Sequence, residues 1–271
     1  MIRPPAVAGR FYPDDPARLN ELLDSLLGVP PHPNAKTISA RACVVPHAGY
    51  KYSGGVAAEV FRRMEIPARV ILIGPRHLPY GAAMAILSEG AWQTPLGLAQ
   101  INYSLANQIM RACPLLREDE TAHSVEHSLE VQLPFLQRLA PYFSFVPIVI
   151  GPASFEHLEQ LGRAIARVIS SDGKSILLVA SSDMNHYESD AITRVKDRKA
   201  IDRILALDAR GLYDTVRNEE ISMCGCGATV AMLVSMREMG ATNAELLRYA
   251  TSGEVNGDMQ EVVGYSGIVI T

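Results

Sequence analysis

The sequence predicts an α/β fold: a central, mostly parallel or mixed sheet with helices on both faces. Two observations predict it. Short apolar runs of strand length recur along the chain, and stretches of helical periodicity lie between them, the alternation that produces a largely parallel sheet covered on both sides. Three of those runs also lead straight into a histidine: Cys43–His47, Val70–His77 and Ile176–His186. In open α/β sheets, ligands bind at the carboxyl ends of the strands.

Taken in order, a first helix is expected over 16–27, followed by a Pro-rich surface connection at 29–34. A strand near 41–46 precedes a helix whose apolar face is Val56, Ala57, Val60, Phe61 and Met64. The next strand is near 69–74. Shorter strands near 83–88 and 98–102 flank a turn-rich piece, Ala91 to Gly97. Helices near 103–112 and 126–139 follow, and Pro134 is expected to kink or interrupt the second. Further strands fall near 145–150, 175–180, 245–251 and 262–270, with helices near 155–170, 190–206 and 226–239. With no repeat, low-complexity stretch or linker, the 271 residues are expected to form a single domain, 1–271, with ample core.

Composition narrows the function classes. Hydrophobic residues at 48% and charged residues at 20% suit a soluble globular protein. A net charge of −4 without a long basic run offers nucleic acid no electrostatic footprint. No apolar run approaches the roughly 20 residues of a membrane helix, and Met1 to Pro5 lacks the apolar stretch of a signal peptide. Four cysteines are too few for a disulfide scaffold, so a reducing cytoplasm is the expected compartment.

His47 and His77 lie about one βαβ unit apart. If their strands are parallel neighbours, the strand ends are only about 5 Å apart, and both imidazoles open on one crevice within reach of one metal ion. Two unrelated loop histidines would fit the spacing equally. Cys224 precedes the apolar helix 229–239, where a helix N-terminus favours thiolate, the metal-binding form; Cys224 and Cys226 also fit as small core residues. Asp183 and His186 follow the third strand and suggest a proton-transfer histidine with its tautomer set by a carboxylate, although Asp183 could equally cap a turn. His123-Ser124-Val125-Glu126-His127 matches the His-x-x-Glu-His zinc pattern of inverted zincin peptidases, which needs both histidines on one helix face.

Taken together, these segments resemble the Memo family, including its prokaryotic branch called AmmeMemoRadiSam system protein B. The resemblance is carried by Arg3–Pro13, Pro46–Gly54 (with Tyr50), Gly74–His77, Thr94–Gly97, Glu126–Phe135 and Ser181–Asp183. Memo proteins resemble the class III extradiol dioxygenases in turn. That resemblance implies a class III extradiol dioxygenase-like α/β fold with a vestibule at the strand ends. It implies metal ligands at His47, His77 and Cys224, with iron or copper expected and zinc as an alternative, and catalytic roles for His186 and Asp183. Tyr50, Arg76, Glu126 and His127 are expected to line the pocket. Arg76 stands where relatives usually carry a small polar residue; facing the cleft, it could bind a carboxylate or phosphate. The implied function is a metal-dependent redox enzyme of extradiol dioxygenase type. The alternative is a non-catalytic protein that binds a phosphopeptide or handles copper or iron, with the zinc peptidase ranked below both. Expected partners are a small molecule or peptide in the vestibule and, from the branch name, AMMECR1-type and radical SAM proteins; nucleic acid and membrane are not expected.

Overall fold

The computed structural model describes residues 1–28 and 37–271, so the connection expected at 29–34 lies outside the described residues. The strands are β1 (Ile2–Arg3), β2 (Ala42–Val45), β3 (Arg69–Pro75), β4 (Met84–Ile86), β5 (Ala91–Thr94), β6 (Gly97–Ile101), β7 (Arg117–Glu118), β8 (Ser144–Ile150), β9 (Leu177–Ser181), β10 (His186–Glu188), β11 (Ala244–Thr251) and β12 (Val262–Ile270). The helices are α1 (Pro16–Leu27), α2 (Tyr50–Phe61), α3 (Tyr103–Ala112), α4 (Leu133–Leu139), α5 (Phe155–Asp172), α6 (Asp190–Leu205), α7 (Ala209–Asn218), α8 (Cys226–Glu238) and α9 (Gly253–Asn256).

One mixed sheet runs β1-β5-β6-β8-β3-β9-β2-β12-β10, with β11 beside β12 and β4 beside β8. Its centre, β6-β8-β3-β9-β2, is parallel, and antiparallel strands flank it. Alternate residues of the central strands feed two separate cores, as the two-residue period of a strand requires. Val44, Ile71, Ile73, Ile148, Leu178 and Ala180 pack with α3, α5, α6, α7 and α8. Cys43, Val45, Val70, Leu72, Phe145 and Val179 pack with α1, α2 and α4 on the other face. The expected mixed α/β sheet with helices on both faces is therefore the observed one. No helix among the described residues is long and apolar enough to cross a membrane.

Four local expectations need correction. β2 and β3 are parallel but not neighbours, because β9 lies between them. The turn-rich piece is a hairpin: β5 pairs antiparallel with β6 from Ala91↔Gln100 to Thr94↔Gly97. The stretch 126–139 is not one helix; a 3-10 turn at Glu130–Gln132 leads into α4, and Pro134 sits in its first turn. Proline is tolerated there because the first amides of a helix have no intrahelical partner. Finally, α7 was not foreseen.

Candidate metal centre

His47 leaves the end of β2 and is 1% exposed. Its backbone amide donates to Asp183 Oδ1 at 2.7 Å, and Gln132 Nε2 donates to the Pro46 carbonyl at 2.9 Å, which fixes the loop. The ring Nδ1 lies 2.9 Å from Ser181 Oγ, at the end of the intervening strand β9. That hydroxyl has one proton, and it donates it to the Ser128 carbonyl at 2.6 Å. Ser181 therefore accepts from His47, so Nδ1 carries the hydrogen and Nε2 keeps its lone pair. Nε2 lies 3.2 Å from Cys224 Sγ. Burial, reinforced by His127 and His77, holds the His47 pKa well below the usual imidazole value, so the ring is neutral and able to ligate.

His77 lies just beyond β3 and is held by one carboxylate. Its amide donates to Glu126 Oε2 at 2.6 Å, and its Nδ1 to Glu126 Oε1 at 2.9 Å. Glu126 is 2% exposed and also accepts from the Ser128 amide at 2.8 Å. Burial pushes this carboxyl up, but the bond and charge of His77 and the two amides outweigh it, and its pKa falls to about 2. Burial likewise lowers the His77 pKa, and the Glu126 bond and charge outweigh it, raising the net value. An ionised carboxylate only accepts, so Nδ1 of His77 carries the hydrogen and Nε2 is the free ligand atom. His127 stacks on His77, with ring centroids 4.6 Å apart and planes at 18°.

Cys224 reaches the same point from a third segment. A Cβ on Gly225 would lie 2.4 Å from both the Ser181 carbonyl oxygen and Ser182 Cβ, so only glycine lets the start of α8 dock on the end of β9. The Gly225 amide donates to Ser182 Oγ at 3.0 Å. The thiol was expected to be favoured as thiolate by the helix N-terminus. In the fold, burial, with Asp183 adding to it, pushes its pKa far up, although Cys224, half-buried just before the N-cap, still borders the cavity. A bound cation would reverse this by replacing the proton.

His47, His77 and Cys224 each offer a ligand atom, and these atoms all lie within 4.8 Å of one another. Two imidazoles with Nδ1 tied off and one thiol make a donor set suited to a soft or borderline ion. β9 does not separate the histidines, because their side chains meet over Ser181, with ring centroids 5.2 Å apart. A second grouping, His77, Glu126 and His127, has comparable spacing. There, Glu126 already accepts from His77 Nδ1, so it acts as the support of the first grouping.

A cavity of about 870 Å³ opens beside His77 and Cys224 and is lined also by Arg76, His157 and Arg217. His186, on β10, is half-buried outside that lining. Its Nδ1 lies 3.0 Å from the Ser222 carbonyl, which can only accept, so its Nε2 is free. Asp183 was expected to set this tautomer; its Oδ1 instead accepts from the His47 amide. Burial raises Asp183 to about 7, against the hydrogen bonds it accepts. Asn185 supports His186 indirectly, its Oδ1 accepting from the Ser222 amide and hydroxyl at 3.0 and 3.1 Å.

Of the residues expected to line the pocket, Arg76 does, whereas Glu126 and His127 lie against His77 outside the lining, and Tyr50 and His123 fall elsewhere. Tyr50 points into the core, its hydroxyl bonded to the Val131 carbonyl at 2.6 Å and its ring against Phe135. His123 is fully buried against Trp92, at 5.8 Å between centroids, in a turn rather than on a helix face with His127. The His-x-x-Glu-His match therefore does not form a peptidase site. Ser181, Gln132, Asn185 and Ser222 went unpredicted, since hydroxyl and amide residues are common and carry no spacing signal.

The Memo-like protein family model matches residues 3–269. This chain belongs to the Memo family. A MEMO1 family protein of Methanopyrus kandleri is 41% identical over 279 residues, covering 99% of each chain. Another, from Aquifex aeolicus, is 41% identical over 269 residues, covering 99% of this chain and 98% of its own. The crystal structure of uncharacterized protein JW3007 from Escherichia coli K12 superimposes with a TM-score of 0.55, covering 84% of this chain and 98% of that one. At 14% identity the likeness is one of fold alone. Membership of the Memo family and the three-donor grouping thus rest on separate observations.

Proposed function

We propose that this Memo family chain is a metal-dependent redox enzyme of the extradiol dioxygenase type, acting on a small molecule that enters the cavity beside His77 and Cys224. The observation that carries the reading is the convergence of three donor atoms, from three separated segments, at the edge of a cavity large enough for a substrate. His47, His77 and Cys224 would hold the ion, and an iron or copper ion would supply a redox-active, Lewis-acidic centre. Glu126 keeps the Nδ1 proton of His77 in place and orients the ring. His186, outside the cavity lining but near enough to His47 and His77 to feel their charge, is held neutral mainly by burial and would accept a proton at Nε2 from a substrate that extends past the ion, while the Ser222 carbonyl steadies the opposite side of the ring. Asp183 holds the His47 loop.

The test begins with metal analysis of protein purified without added metal, followed by O₂ uptake with Fe(II) and a substrate panel. Bound metal is expected in the wild type and lost in His47→Ala and Cys224→Ser, and substrate-dependent uptake is expected to fall in His186→Gln. No bound metal and no uptake would sink the reading. The sulfur donor favours one alternative: a thiolate is softer and more oxidisable than a carboxylate, which suits metal handling without turnover. Tight copper or zinc binding with no O₂ uptake would select it.

A further inference from the structure

Resting on the reading above, we infer that the cavity beside the metal grouping takes a small anion with an apolar body, its carboxylate or phosphate group held by Arg76 and Arg217. The lining is one-sided in charge. It contains these two guanidinium groups and the imidazoles of His77 and His157, and no carboxylate. Neither arginine has an ion-pair partner among the described residues, whereas Arg210, on the same helix as Arg217, is paired with Asp214. The nearby carboxylate of Glu126 is already engaged by His77.

Arg76 is built into place. It lies across Gly151, where a Cβ would come within 3.0 Å of Nη2 and 3.2 Å of Nε. Nη1 donates to the Tyr80 carbonyl at 3.1 Å and also to that of Gly81. Nε is buried with no partner. Clamping the 76–81 turn uses Nη1, and Nε is enclosed, so Nη2 is the donor left for an anion in the cavity. Arg217 donates to the Tyr213 hydroxyl at 2.7 Å and lies over its ring, which props the guanidinium without neutralising it. The first turn of α8 adds to the same field: Gly227 and Ala228 are among the lining residues, and their amides have no hydrogen-bond partner among the described residues. Ile150, Leu158 and Val216 supply an apolar wall for the rest of the molecule.

The test compares benzoate with benzamide, its neutral isostere, by calorimetric titration of the full chain, with inorganic phosphate as a competitor. Benzoate is expected to bind at least about tenfold more tightly than benzamide, the size of effect a charge-assisted contact gives, and phosphate to compete. Arg217→Gln, which removes a cation, should erase the preference, and Arg76→Lys should reduce it, because an ammonium keeps the charge but not the guanidinium geometry. Arg217 is exposed on α7, so its variant tests the inference even if Arg76→Lys disturbs the turn that Arg76 clamps. Equal affinity for benzoate and benzamide, with no competition by phosphate, overturns the inference. His47→Ala separates the two readings. Lost metal with the benzoate preference retained in this variant supports an anion site independent of the ion, whereas metal binding with turnover but no anion preference in the wild type overturns the inference and leaves the redox reading standing alone.

Discussion

A hydroxyl has one proton to give, and because Ser181 gives it to the Ser128 carbonyl, the tautomer of His47 follows. The same reasoning applies at Glu126, whose ionised carboxylate forces the proton of His77 onto Nδ1. Glu126 also accepts two backbone amides, one on each oxygen. Glu126→Gln keeps the shape but offers one acceptor atom where two are used. It is expected to weaken metal affinity about 10- to 100-fold, the usual effect of losing such support, read by competition with a chromophoric chelator. Unchanged affinity would mean that Glu126 serves the loop and not the ligand. The two histidines were legible from sequence because they follow strand ends, whereas Cys224, ahead of a helix, fitted a core cysteine and was assigned only through the family resemblance. Their supports were not: Ser181, Gln132 and Ser222 become specific only through contacts 36 to 53 residues away along the chain.

Helix α8 brings Cys224 to the sheet, and its approach depends on the absence of a side chain at Gly225. Gly225→Ala would drive a methyl group into the Ser181 carbonyl and Ser182, at a cost of about 1–3 kcal/mol, measured by urea unfolding; a variant as stable as the wild type would refute the close approach. Another element contact predicts a pH effect. Asp197 on α6 accepts from the Tyr249 hydroxyl of β11 at 2.7 Å and from the Asn185 amide at 2.8 Å. Burial outweighs these bonds and raises its pKa to about 7. A carboxyl raised in the folded state contributes stability that is full below its unfolded pKa, near 4, and is lost as pH rises towards 7. Asp197→Asn, which stays neutral, should remove this part of the decline, a few kcal/mol at most, between unfolding curves at pH 5 and pH 8. An unchanged slope would place the titration elsewhere. Sequence periodicity missed β5 because it is a short strand, Ala91–Thr94, that runs into the turn at Pro95 and Leu96, and its hairpin partner only becomes visible once register is known.

At the scale of the whole molecule, the order of the sheet makes the site a product of complete folding. The ends of β2 and β3 are separated by β9, and Cys224 arrives only when α8 has packed on the face opposite α2. The simple picture of two neighbouring strands was therefore wrong in detail, although the histidines meet, because strand-end side chains can bridge one intervening strand of a sheet with about 4.8 Å spacing. No two of the three donors are close in sequence, so the unfolded chain has no preformed site and an ion that binds the native state should stabilise it by mass action. At free metal about 100 times its dissociation constant, the gain is about 2.7 kcal/mol, seen as a rise in Tm that a chelator reverses. His47→Ala should abolish the metal-dependent rise while unfolding cooperatively without metal. Glu126→Gln should shift the rise to higher metal concentration, in proportion to its weakened affinity. A rise of equal size in His47→Ala would mean that the ion binds away from the strand ends, and the three-donor grouping would no longer explain it.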